Sequence, residues 1–104
     1  ADQPVLVDFF AEWCVACRIL EEETLSHPEV LEALSGFRLL RIDITEVNAE
    51  NRALMEDYKV LGLPTLMFRD PDGDEIPDSR VLGEMGPDRF RRHLNEKVFP
   101  AISR

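Results

Sequence analysis

Between Val5 and Phe10 the chain reads Val-Leu-Val-Asp-Phe-Phe, apolar at every position but Asp8. Both faces of an extended segment would then be covered, which predicts a central strand. A helix is predicted from Cys14 to about Leu25. Ser26-His27-Pro28-Glu29 resembles a capping box with proline in the first turn, restarting a helix that runs to Gly36. Phe37 to Ile44 is a second strand, made parallel to the first by the right-handed crossover rule. Thr45 is predicted to cap a helix carrying Val47, Leu54 and Tyr58 on one side. Thr65 to Arg69 and Ser79 to Leu82 read as strands flanking the turn-rich Asp70-Pro71-Asp72-Gly73-Asp74. Gly86-Pro87-Asp88 opens a last helix with Phe90, Leu94 and Val98 on its inner stripe. The predicted order is βαβαββα, an α/β sandwich built on a mixed sheet.

With 104 residues and neither repeats nor linkers, the chain is expected to be one domain, large enough for a core without extra staples. It is 44% apolar and 32% charged, ordinary for a globular protein. No apolar run approaches bilayer length, and no signal peptide is expected within this stretch. The chain opens almost at once on a strand meant for burial, so it is expected to be a domain cut from a longer protein. Its net charge of −9 argues against nucleic acid, whose binding needs Lys and Arg to neutralise phosphates.

The chemistry is concentrated in Trp13-Cys14-Val15-Ala16-Cys17, which holds both cysteines of the chain. On a helix, residues three apart have Cα atoms about 5 Å from each other, inside the window a disulfide requires. As a staple such a bond is weak: loop entropy gives about 2 kcal/mol for so small a ring, against nearly 5 for a long one. A bond that forms easily and holds little suits switching, which points to thiol–disulfide exchange. The first turn of a helix has unpaired N–H groups and a partial positive charge, both favouring an anion. Lowering a thiol from about 8.5 to about 7 corresponds to about 2 kcal/mol of such stabilisation. Cys14, at the helix start, is therefore the expected attacking sulfur, and Cys17, one turn in, the more buried resolving one. Half a zinc site is the competing assignment, but the only further histidines, His27 and His93, are far apart and not in finger spacing. A redox-inert structural disulfide is the other. No metal and no bound cofactor are expected, and His27 and His93 are given no chemistry.

Val7-Asp8-Phe9-Phe10-Ala11-Glu12-Trp13-Cys14, followed downstream by Gly62-Leu63-Pro64-Thr65, resembles thioredoxin over nearly the whole chain. Two departures exclude an ordinary thioredoxin: Val-Ala replaces Gly-Pro between the cysteines, and no proline kinks the helix after Cys17. Together with Thr24-Leu25-Ser26-His27-Pro28-Glu29-Val30 and Val60-Leu61-Gly62-Leu63-Pro64-Thr65, the Cys-Val-Ala-Cys motif is similar to the C-terminal domain of the bacterial transmembrane thiol:disulfide interchange (DsbD) family. That resemblance implies a monomeric periplasmic domain tethered to an inner-membrane core. It would take electrons from the membrane domain, fed by cytoplasmic thioredoxin, and pass them to the N-terminal periplasmic domain. Disulfide isomerases and cytochrome c maturation would benefit in turn. The same Cys pair could also serve a disulfide oxidase or isomerase, or be incidental in a non-enzymatic protein-binding module.

Supporting residues each have a plain alternative. Pro64 could simply mark a strand start; the resemblance implies a cis Leu63-Pro64 bond facing the cysteines, presenting Leu63 backbone to a partner peptide. Trp13 is expected to be both core and rim, an apolar partner platform with Val15, Ala16 and Leu63. Asp8 is either an exposed strand-end carboxylate or a buried acid of raised pKa, able to take the Cys17 proton. Glu21 lies four residues after Cys17 and either faces the same region or joins Glu22 and Glu23 on a solvated acidic face. Glu12 is read as surface charge.

Overall fold

In the computed structural model, which describes residues 3–102, a four-stranded mixed sheet runs in the order β2-β1-β3-β4. β1 (Val5–Phe10) pairs in parallel with β2 (Arg38–Asp43) and antiparallel with β3 (Thr65–Arg69); β3 pairs with the short β4 (Val81–Leu82). Between them stand α1 (Val15–Leu20), α2 (Pro28–Ala33) and α3 (Ala49–Asp57); α4 (Pro87–His93) and α5 (Phe99–Ile102) close the chain. The mixed sheet and flanking helices match the predicted sandwich.

The alternation of β1 and β3 divides the core in two. Leu6, Leu66 and Phe68 meet Leu20 of α1, Val30 of α2, and Phe90, Leu94 and Val98 from the last helix on one face. Val5, Val7, Phe9 and Met67 meet Ile44, Val60 and the apolar side of α3 on the other, where Phe9 and Tyr58 rings stand 5.7 Å apart. The stripe predicted for the last helix is fully buried.

Several details differ from expectation, and nearby polar groups account for them. α1 continues as a π-helical turn, Glu21–Leu25, closed by the Ser26 amide donating to the Glu21 carbonyl at 3.1 Å. The Ser26 hydroxyl donates to that same carbonyl, so the cap of α2 is His27, whose Nδ1 accepts from the Glu29 amide. Thr45 does not cap α3. Its hydroxyl accepts from the Glu12 amide and donates to Asp43, and the cap falls to Asn48, whose Oδ1 accepts from the Asn51 amide at 2.8 Å. Val47 is thereby left outside the helix and exposed, whereas Leu54 and Tyr58 pack inward as expected. The strand predicted from Ser79 is reduced to two residues because Ser79 is buried and its hydroxyl donates to the Ile76 carbonyl. His93 is likewise structural, its Nε2 bonded to the Ser79 carbonyl at 2.6 Å. In the turn before it, Gly73 takes φ +94°, while the Asp70 carboxylate accepts from the Asp72 and Asp74 amides.

Candidate active site

β1 delivers the chain to the top of the sheet, where the Cys14 amide donates back to the Ala11 carbonyl and the path turns into α1. Cys14 is extended (φ −87°, ψ 106°) and is the N-cap of the helix. Its Sγ accepts the Cys17 amide at 3.1 Å, the bond an N-capping oxygen would make. A sulfur in that place faces the free N–H groups and the positive end of the helix, which favour its thiolate. The first turn of α1 carries no acidic residue to oppose this. Cys14 and Cys17 are joined as a disulfide with their Cα atoms 5.2 Å apart.

The expected burial contrast between the two is nearly absent: Cys14 is 7% exposed and Cys17 5%. Strand end and helix start pinch both sulfurs into one small cluster with Ala11, against which Phe10, Ala16 and Leu63 pack. Asymmetry comes instead from bonding and from the rim. Trp13 and Val15, either side of Cys14 in sequence, are 60% and 59% exposed. Trp13 is held by its indole N–H, which donates to the Thr45 carbonyl at 3.0 Å. Glu12 is exposed, as expected.

The Leu63-Pro64 bond is cis and Leu63 touches the cysteine cluster. Pro64 is buried and its carbonyl accepts from the Gly83 amide, while the Thr65 hydroxyl donates to the Gly62 carbonyl, pinning the loop from both sides. Beside the cysteines, Trp13, Ile44, Val47, Met55, Leu61 and Leu63 line an open, mainly apolar groove of about 430 Å³. Such a surface fits an apolar segment of another protein better than a small polar molecule.

Asp8 is buried, 4% exposed, on the sheet face it shares with Leu6 and Phe10. Burial pushes its carboxyl up to about 6, with Glu21 adding to the rise and Arg41 opposing it. Parallel register sets Arg41 directly beside Asp8 on β2. Arg41 Nε lies 3.7 Å from Asp8 Oδ2, its Nη2 donates to Glu21 Oε2 at 3.0 Å, and its guanidinium sits 4.0 Å from the centre of the Phe10 ring. Glu21 is half-exposed, unlike its exposed neighbours Glu22 and Glu23. Among the described residues no hydrogen bond joins Asp8 or Glu21 to either sulfur; Arg41, which pairs with both acids, lies over Phe10, and Phe10 packs against the cysteine cluster. Arg41, Thr45 and the groove residues of α3 were not legible in the sequence. The signal for Arg41 is the strand register, which no local window contains.

Among the described residues no cluster of three or more His, Cys, Asp or Glu could hold a metal ion, and no helix is long and apolar enough to cross a membrane. A family model described as thioredoxin-like matches residues 1–71. The thiol:disulfide interchange protein DsbD of Pectobacterium atrosepticum is 47% identical over 94 residues, which is 90% of this chain and 16% of that protein. DsbD of Cronobacter sakazakii is 46% identical over 92% of the chain and 17% of its own length. The chain thus spans about a sixth of the length of the curated relatives it matches. Among solved structures, the oxidised DsbD c-terminal domain of Neisseria meningitidis superposes with a TM-score of 0.76 at 32% identity, covering 92% of this chain and 81% of that one.

Proposed function

The chain belongs to the thioredoxin-like family, as a domain of the DsbD C-terminal kind, and from that premise we propose that it is a protein-disulfide reductase and electron relay. The observation that carries this is Cys14 Sγ at a helix N-cap, accepting the Cys17 amide, with Trp13 and Val15 exposed at its side. In the reduced domain the Cys14 thiolate attacks one sulfur of a partner disulfide; that S–S bond breaks and the second partner sulfur leaves as a thiolate. Cys17 then gives up its proton, for which the buried Asp8 is the acceptor of this proposal, and attacks Cys14. The Cys14–Cys17 bond forms and the partner's first sulfur departs. Two electrons have passed to the partner, whose two sulfurs leave as thiolates and take their protons from solvent, and the cysteine couple carries the electrons with no further cofactor.

The partners we propose are the other parts of a DsbD-type protein. A membrane domain would reduce this one, and an N-terminal periplasmic domain would be reduced by it, placing the chain in the periplasm and tethered to the inner membrane. The relatives' much greater length supports this, since most of each lies outside the match. The groove beside the cysteines supports a protein partner over a small disulfide.

A Cys17→Ser variant tests the mechanism: a mixed disulfide with the partner should accumulate through Cys14. Trapping by Cys14→Ser instead would reverse the roles. The reduction potential tests the direction, with values toward about −270 mV expected and values toward about −120 mV pointing to an oxidase. Unaltered partner binding in Cys14→Ser, with no protein disulfide reduced by the wild type, would leave only a binding module.

A further inference from the structure

We propose that Arg80 is a positioning residue for partner docking: its guanidinium fixes the root of the 59–64 loop and, through it, the Leu63 backbone that a partner disulfide meets. The inference rests on the disulfide-exchange function proposed above and adds to it a residue that does not touch the sulfurs. α3 closes in a left-handed turn. Lys59 takes φ +56°, its amide donates to the Glu56 carbonyl at 3.1 Å, and the Val60 amide donates to the Met55 carbonyl at 2.8 Å. That pairing does not use the Tyr58 and Lys59 carbonyls, and Arg80 takes both. Its Nη2 donates to the Tyr58 carbonyl at 2.7 Å and its Nη1 to the Lys59 carbonyl at 3.0 Å. Nε and Nη2 also donate to the two carboxylate oxygens of Glu75, at 2.7 and 3.1 Å. Such a bidentate pair fixes the plane of the fork.

Water could satisfy two carbonyls at the end of a helix. What water cannot do is tie them to the sheet. Arg80 directly precedes β4, and its Nη2 lies 3.4 Å from the sulfur of Met67, a buried residue of β3. One side chain thus joins the end of α3 to the β3–β4 pair. The far root of the loop is held just past the same strand, where the Gly83 amide donates to the Pro64 carbonyl at 3.0 Å. Between the two roots Val60 is buried, Leu61 is wholly exposed and Leu63 touches the cysteine cluster. A docking segment already held in place avoids the ordering cost that a mobile one meets on binding. Arg80 also lines a groove with Leu61, Leu63 and Leu82. Its charge there is matched by Glu75, so the effect on docking runs through the loop rather than through a free cation.

The experiment compares the wild type with Arg80→Met, Arg80→Lys and Glu75→Gln, all under conditions where each is fully folded. Nitrogen-15 order parameters are measured on the partner-free oxidised chain. The reduced chain is then given either the oxidised N-terminal periplasmic domain of a DsbD relative or glutathione disulfide. Arg80→Met is expected to lower the order parameters of Leu61, Gly62 and Leu63 from about 0.85 toward about 0.6. It should raise the KM for the protein disulfide about ten-fold and leave kcat within about two-fold. The rate with glutathione disulfide and the reduction potential should keep their wild-type values, because the sulfurs and their helix cap are untouched. Arg80→Lys keeps the charge without the fork and should stay close to Arg80→Met. Glu75→Gln keeps the fork but loosens its plane, and should fall between Arg80→Met and the wild type. A wild-type KM in Arg80→Met, or an equal slowing with glutathione disulfide, overturns the inference. Wild-type behaviour of Arg80→Lys does so too, since charge alone would then suffice. Should Arg80→Met fail to fold, the other two variants carry the test. A wild type inert toward both disulfides overturns the function instead, whereas order parameters unmoved in the Arg80 variants overturn the role of Arg80 whatever the activity.

Discussion

Asp8→Asn removes one ionisable group from the interior and keeps the shape of the side chain. In the folded protein, burial raises the Asp8 carboxyl from 3.8 to about 6, the opposing pull of Arg41 already included. In the unfolded chain the group titrates near its ordinary value. Between those two values the native state holds a proton that the unfolded chain has released, so stability falls as pH rises through the window. The stabilisation is complete below the unfolded value and gone once pH passes the folded one. A rise from 3.8 to about 6 corresponds to about 3 kcal/mol. Asparagine has no such dependence, and every other titrating group is shared by the two proteins. The stability advantage of Asp8→Asn should therefore grow from near zero around pH 3.5 to about 3 kcal/mol around pH 7. Urea unfolding of both oxidised proteins, followed by far-UV circular dichroism across that range, measures the difference directly. A difference that stays flat with pH, or shrinks as pH rises, would show that Asp8 is not a buried acid of raised pKa.

The same substitution in the reduced protein should lower the Cys14 pKa by removing a like charge, and Glu21→Gln should do so more weakly; thiolate absorbance against pH checks both. Trp13→Ala should slow reduction of a protein disulfide by about five-fold or more while leaving reduction of a small disulfide nearly unchanged, if the exposed indole serves as the partner platform proposed for it. Stopped-flow rates with the two substrates decide it. Phe90→Ala should cost about 3–5 kcal/mol in urea unfolding, since the ring is fully buried and packs 6.4 Å from Phe68.

Much of this molecule is written in local pattern. The short, nearly continuous apolar runs in Val5–Phe10 and Thr65–Arg69 are enough to place two strands, because a segment apolar on both faces marks a strand covered on both sides. The stripe of Phe90, Leu94 and Val98 fixes the buried side of the last helix in the same way. Cys14 at a helix start with Cys17 one turn on already implies a favoured thiolate and a bond of little structural value. What the sequence left open depended on residues far apart in the chain. Whether Asp8 is buried depends on the helix laid across its face, and its proton affinity depends on Arg41, brought beside it only by the parallel register of β1 and β2. Thr45 has the composition of a cap, yet it serves the Glu12 amide and the Trp13 indole because β2 ends beside the cysteine loop. Equal burial of the two cysteines arises likewise where the cis-proline loop closes over them. Spacing along one helix or strand is set by backbone geometry and can be read directly. Neighbours across a sheet are set by which register buries the most apolar surface, and that is decided only when the whole chain packs.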